Sequence, residues 1–181
     1  MKQRIQRGIG VFAGMVLFSQ SAALRAVDIP VTITVTILEP VCTVTDAAGN
    51  SQTEVNFGQV PVTAVNGTTA IKDLNLKVAC DSKAPSGKTL KMQVTAGSSG
   101  TITQGGSTVL ATSLSGLGIK LANSTSGVIP LGSWISVTGI TTPVDAPMGT
   151  VALKAALVSD SVSSLKAGNF TSSASVMMAY Q

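Results

Sequence analysis

Chemistry in this chain would have to come from two cysteines, Cys42 and Cys80, and a thin scatter of acids, among them Asp46, Glu54, Asp145 and Asp160. The 181 residues include no histidine, which removes histidine-based triads and histidine-ligated metals and weakens any general acid–base scheme. Two thiolates do not build a four-cysteine zinc site. The acids stand singly at loops or strand ends, where solvation is their ordinary role. Nothing in their spacing marks the close carboxylate pair of a glycosidase. The sequence therefore predicts no catalytic residue, no metal and no cofactor, and the chain is not read as an enzyme. What chemistry remains is thiol pairing.

Whether the thiols pair depends on where the chain goes, and its charge answers that. The formal charge is +4, with every arginine among the first 25 residues. Lys2, Arg4 and Arg7 precede an apolar stretch from Ile9 to Phe18, followed by the small residues Ser19 to Ala23. A basic head, a short apolar run and a small-residue tail form the pattern of a secretory signal peptide. The run is too short to cross a bilayer, which needs about 20 residues. Cleavage after Ala26 is taken as the boundary, with Ala23 the alternative, so residues 1–26 are assigned to the signal. Beyond it, eight lysines balance eight acids and no arginine remains. The mature chain thus has no basic surface for nucleic acid. It also has no integral membrane segment, and four aromatics (Phe57, Trp134, Phe170, Tyr180) are too few for the girdles of a membrane barrel. In an oxidising compartment an even pair of cysteines reads as a disulfide, Cys42–Cys80. A redox-active pair would want the cysteines closely spaced, as in C-x-x-C.

The elements that would hold that disulfide are strands. Thr, Ser, Val and Gly dominate, and no stretch sustains a helical period with caps. Predicted strands cover 29–38, 41–44, 54–60, 71–80, 90–96, 109–114, 117–121, 134–140, 151–159 and 171–180, separated by Gly/Ser/Asn/Asp turn clusters such as 46–50, 81–87 and 104–107. Many short strands at this spacing indicate an antiparallel sandwich. Leu74, Leu76, Val78 and Cys80 share one face, opposite Asn75, Lys77 and Ala79. The nearly unbroken apolar run from Val151 to Val158 suits a central strand covered on both sides. Trp134 is read as a packing residue in its strand.

The first and last strands carry most information. Every odd position from 27 to 37 is Val or Ile, so Ile29, Val31, Ile33, Val35 and Ile37 form one β-branched face against a row rich in threonine. Such an edge, bearing no lysine, is a template for pairing with another strand. At the other end Phe170, Ala174, Val176, Met178 and Tyr180 alternate on one face, with Ser172 interrupting the row.

These features, in this order, resemble the pilin subunits of chaperone–usher fimbriae of the type 1 and P-pilus kind. The carriers are the alternating extension running into Pro40-Val-Cys42, then Val55-Asn-Phe-Gly-Gln-Val60, then the segment leading to Cys80. Leu117-Gly-Ile-Lys-Leu121 with Ile129-Pro-Leu-Gly132 follows, and last Gly168-Asn-Phe170 with Tyr180 penultimate. Gly168 is fourteenth from Gln181 counting that residue as one, as in the family's C-terminal signature. The resemblance implies an incomplete immunoglobulin-like β-sandwich, lacking its final strand, over 40–181, and an N-terminal donor-strand extension over 27–39. It also implies partners: a periplasmic chaperone that fills the groove and holds the strand bearing Gly168, Phe170, Ala174, Val176, Met178, Tyr180 and Gln181, an outer-membrane usher, and neighbouring pilin subunits. The function expected is that of a structural subunit, minor or adaptor in rank, exported through the periplasm to a surface fimbrium and supporting adhesion. The alternative is an adhesive subunit that binds a host receptor through loops 97–107 or 122–128. Val35, where many donor strands carry glycine, and the lack of an aromatic in Ala155–Val158 depart from the family pattern.

Overall fold

The computed structural model describes residues 42–141 and 147–181. The signal segment 1–26 and the extension 27–39, with Ile29, Val31, Ile33, Val35 and Ile37, lie outside the described residues.

Among the described residues ten strands follow one another: β1 (Cys42–Thr45), β2 (Asn66–Cys80), β3 (Leu90–Ala96), β4 (Thr101–Gln104), β5 (Ser107–Ala111), β6 (Gly118–Asn123), β7 (Trp134–Ser136), β8 (Ile140–Thr141), β9 (Met148–Val158) and β10 (Ala174–Tyr180). The larger sheet has the order β1-β2-β9-β6-β5-β4, with β8 pairing on β9, and the smaller is β10-β3-β7. Every strand pair is antiparallel. One core lies between the sheets. Leu76 and Val78 of β2, Leu153 of β9 and Leu121 of β6 meet Met92 and Val94 of β3 and Met178 and Tyr180 of β10. The fold is an all-β sandwich, as the composition and turn spacing predicted.

Alternation explains which residues build that core. On β2, positions 76, 78 and 80 are buried while 75, 77 and 79 are exposed. The run predicted to be central is central: β9 lies between β2 and β6, and positions 155–158 are all buried. Cys42 and Cys80 stand directly opposite each other on β1 and β2 and form the expected disulfide.

Three predicted elements differ. The stretch predicted as strand 134–140 is two strands in two sheets, β7 on β3 and β8 on β9. Gly139 makes that switch possible: its φ is +88°, and a Cβ there would lie 2.5 Å from the carbonyl oxygen of Thr150, so only glycine lets the backbones approach this closely. The hairpin strand β4 is not among the predicted strands, because Thr101–Gln104 sits between two glycine-rich clusters that read as one loop. The predicted strand 54–60 joins no ladder among the described residues, although its burial alternates, with Val55 and Phe57 half-buried and Glu54 and Asn56 exposed.

Candidate functional site

The site is a groove between the sheets, and it follows from the inward rows of several strands. Leu74 and Leu76 of β2, Leu110 of β5, Ile119 and Leu121 of β6, and Leu153 and Ala155 of β9 supply its floor. Two rims flank it. One is the extended segment 53–57, which contributes Thr53, Glu54, Val55 and Phe57; the other runs from Phe170 to Ala174 and on to Val176. The space enclosed is about 390 Å³. At one end the rims touch: the Phe57 and Phe170 rings lie 6.1 Å apart at 51°, a tilted contact of the kind aromatic pairs favour.

Hydrogen bonding shows why the Phe170 rim stays open. Gln181 and Thr89 exchange both backbone bonds, each 2.9 Å, and the Gly97 N–H donates to the Ser173 carbonyl at 2.8 Å. In an antiparallel ladder, bonded and non-bonded pairs alternate. Residues 173, 175, 177, 179 and 181 therefore bond toward β3. Ala174, Val176, Met178 and Tyr180 turn their N–H and C=O groups to the other edge, where no strand among the described residues pairs with them. Those are the residues whose side chains point inward. The strand thus offers an incoming segment backbone bonds and apolar contacts at the same positions. Polar backbone left beside an apolar hollow is costly unless another strand or water satisfies it.

Just before β10 the chain crosses to the larger sheet. The Ser113 N–H donates to the Thr171 carbonyl at 2.9 Å, and the Ser172 hydroxyl donates to the Ala111 carbonyl at 2.7 Å. Ser172, which breaks the apolar row, thereby ties the rim to the end of β5.

Of the residues singled out in the sequence, Phe170, Ala174 and Val176 line the groove. Met178 and Tyr180 lie deeper, in the core. The Tyr180 hydroxyl donates to the Ser82 carbonyl at 2.9 Å. Burial first, and then the negative charge of Asp81, raise its pKa above the ordinary 10.0. Gly168 lies away from the groove, beside Leu114, and Gln181 is exposed, held through its backbone to Thr89. In the sequence the floor residues read as ordinary core, with nothing to mark them as a site. The signal that could have found it lay in Val55 and Phe57, an alternating row for which no partner strand could be named.

The lining is apolar apart from Glu54 and a few hydroxyls. Among the described residues no group of acids or cysteines could hold a metal, and no helix is long and apolar enough to cross a membrane.

Residues 31–181 match the family model described as fimbrial protein. The chain belongs to the fimbrial protein family. Among curated proteins none matches it. Solved structures share the fold of this fimbrial protein. The P pilus rod subunit PapA is 19% identical with a TM-score of 0.54, over 77% of this chain and 99% of PapA. A chaperone–usher pilus structure is 19% identical with a TM-score of 0.55, over 86% of this chain and 100% of the other. The P pilus adaptor subunit PapF is 22% identical with a TM-score of 0.51, over 81% of this chain and 100% of PapF. At these identities the likeness is one of fold, and it covers nearly the whole of each pilin. This fimbrial protein is accordingly a pilin subunit of a cell-surface fibre.

Proposed function

We propose that this pilin polymerises by donor-strand exchange: the groove takes the N-terminal extension, residues 27–39, of another subunit. The observation that carries the reading is the inner edge of β10, which no strand among the described residues pairs with, beside an apolar hollow whose second rim, 53–57, alternates in burial but joins no ladder among the described residues. An inserted strand would satisfy both edges at once by β-augmentation. It would also turn 53–57 into the strand that its alternation predicts.

The energetics suit a tight joint. Burying Ile29, Val31, Ile33, Val35 and Ile37 contributes on the order of 6–15 kcal/mol gross, at about 1.5–3 kcal/mol each. Ordering the extension and losing translational freedom offset part of it. Before assembly the same groove is held by the strand of a periplasmic chaperone, which also grips the end of β10 near Gln181, and an outer-membrane usher exchanges one strand for the other. In this reading residues 1–26 direct export and 40–181 form the pilin domain. The subunit works structurally and not as an enzyme, with the rank of a minor, adaptor-type subunit.

The test is release from the chaperone. A synthetic Val27–Leu38 peptide is expected to displace the chaperone from the co-purified complex, and a chain lacking 27–37 is expected to bind chaperone but never enter fibres. Entry of the deleted chain into fibres would sink the mechanism.

A second reading, adhesion through the loops, draws on a polar cleft of about 240 Å³ lined in part by Gln104, Gly105, Ser107, Lys120 and Asp160. Gln104 accepts from the Asp160 N–H at 2.5 Å, and the Asp160 carboxylate accepts from the Gly105 N–H at 2.6 Å, so the acid is held in place. Binding of the strand-complemented subunit on a glycan array that is lost in D160A would support this reading, and an empty array would remove it.

A further inference from the structure

The groove has a charged end. On β2 the inward row runs Cys80, Val78, Leu76, Leu74, and the next position of the same parity is Lys72. It stands directly opposite Ala155 of the groove floor, just as Leu74 stands opposite Leu153. Lys72 is exposed and makes no ion pair among the described residues. On β2 the groove-lining residues Leu76 and Leu74 are thus followed in the same row by a cation, ahead of the buried Ala70.

Which end this is can be read from contacts. Tyr180, the last residue of β10, bonds to Ser82, just past the C-terminal end of β2. Leu74 shares the groove with Ala174 and Phe170. Lys72 therefore lies at the Phe170 end, and Asp81 lies at the Tyr180 end.

The extension carries a complementary row. Its odd positions from 27 to 37 are Val or Ile, and the next odd position is Glu39. Pro40 follows, and proline disfavours helical backbone at the residue before it, so an inserted extension would carry the alternation through Glu39. Asp28, the other acid of the extension, has the opposite parity and would face away from the floor.

We infer that Lys72 pairs with Glu39 of the extension of a second copy of this chain, and that this pair sets the register and direction of insertion. The inference rests on the donor-strand reading above. An extension running antiparallel to β10 brings Glu39 to Lys72 as its apolar row fills the floor. The parallel direction would put Glu39 beside Asp81, acid against acid. A slip of two residues deeper would carry the carboxylate over Leu74, where desolvation is not compensated. A slip of one residue would turn the whole apolar row outward. An exposed ion pair adds little affinity, so the pair acts by penalising the wrong registers.

The experiment uses the full-length chain and two fluorescent peptides, Val27–Glu39 and the same peptide with Glu39→Lys. Wild-type chain should prefer the natural peptide by about three- to tenfold at low salt. Lys72→Glu should reverse the preference, and Lys72→Gln should abolish it while binding both peptides. Lys77→Gln, on the outward face of β2, should leave it unchanged, and added salt should shrink the preference wherever it exists. A second arm mixes full-length chains: Lys72→Glu and Glu39→Lys should each assemble poorly alone and co-assemble when mixed. If Lys72→Glu keeps the wild-type preference, the charge pairing is wrong and donor-strand insertion stands. If neither peptide binds any form of the chain, insertion itself falls.

Discussion

Filling the groove from within should make the subunit more stable and less able to assemble. Ala155 is 3% exposed, lies directly opposite Leu121 on β6 and contributes one of the smallest side chains on the groove floor. Ala155→Phe would project a ring into the 390 Å³ hollow. The ring would remove roughly 100 Å² more apolar surface from water, worth about 2.5 kcal/mol gross at 25 cal/mol per Å². Repacking strain and lost rotamer freedom take back part of this. A net gain of about 1 kcal/mol is expected, a rise of roughly 3–5 °C in melting temperature for a domain of this size. The same ring occupies the space an incoming Val or Ile would use. Losing one such contact, about 1.5–3 kcal/mol, weakens peptide uptake by about ten- to a hundredfold. Thermal unfolding followed by circular dichroism and fluorescence anisotropy with the Val27–Leu38 peptide measure the two effects on one sample. Leu153→Ala is the contrast: Leu153 is 1% exposed in the same strand, and its loss should cost about 2–5 kcal/mol and lower both readings. An Ala155→Phe chain that melts lower and takes up peptide as well as wild type would refute the assignment of this space to an incoming strand.

Two further outcomes follow from the geometry. Replacing Cys42 and Cys80 with serine opens a loop whose ends are 38 residues apart and should cost about 3–4 kcal/mol by the chain-entropy estimate; denaturant unfolding with and without reductant measures it, and an unchanged midpoint would show that the bond adds nothing. Tyr180 is the chain's one tyrosine, so tyrosinate absorbance reports it alone, and its midpoint should lie above 10.0 in the folded chain because burial and Asp81 raise its pKa. The folded form holds the phenol proton more tightly than the unfolded form, so this contribution to stability is present below the unfolded pKa and is lost as pH rises through the folded one; a midpoint at or below 10.0 would contradict the burial.

Much of the fold was legible because strand periodicity is local. The inward row Leu74-Leu76-Val78-Cys80, the central place of Val151–Val158 in the larger sheet and the Cys42–Cys80 bond each needed only residue type, spacing and compartment. The failures have physical causes. Trp134–Ile140 looked like one strand because nothing in composition marks the point where a chain leaves one sheet for another; that point is Gly139, where two backbones come together. Thr101–Gln104 was lost because a four-residue strand between glycine clusters has too little alternation to register. Segment 54–60 has the alternation of a strand and joins no ladder among the described residues, since a strand also needs a neighbour.

The candidate site divides in the same way. By itself the sequence determined two alternating apolar rows, Val27 to Ile37 and Phe170 to Tyr180, because every second residue in each is apolar, Ser172 aside, regardless of what the segment pairs with. Only the tertiary structure decided that β10 pairs with β3 through residues 175, 177 and 179, leaving Ala174, Val176, Met178 and Tyr180 facing a hollow floored by Leu74, Leu121 and Leu153. That choice of edge depends on the register of strands about 80 residues apart in the chain, and no local pattern encodes which neighbour a strand finds or which edge it leaves vacant.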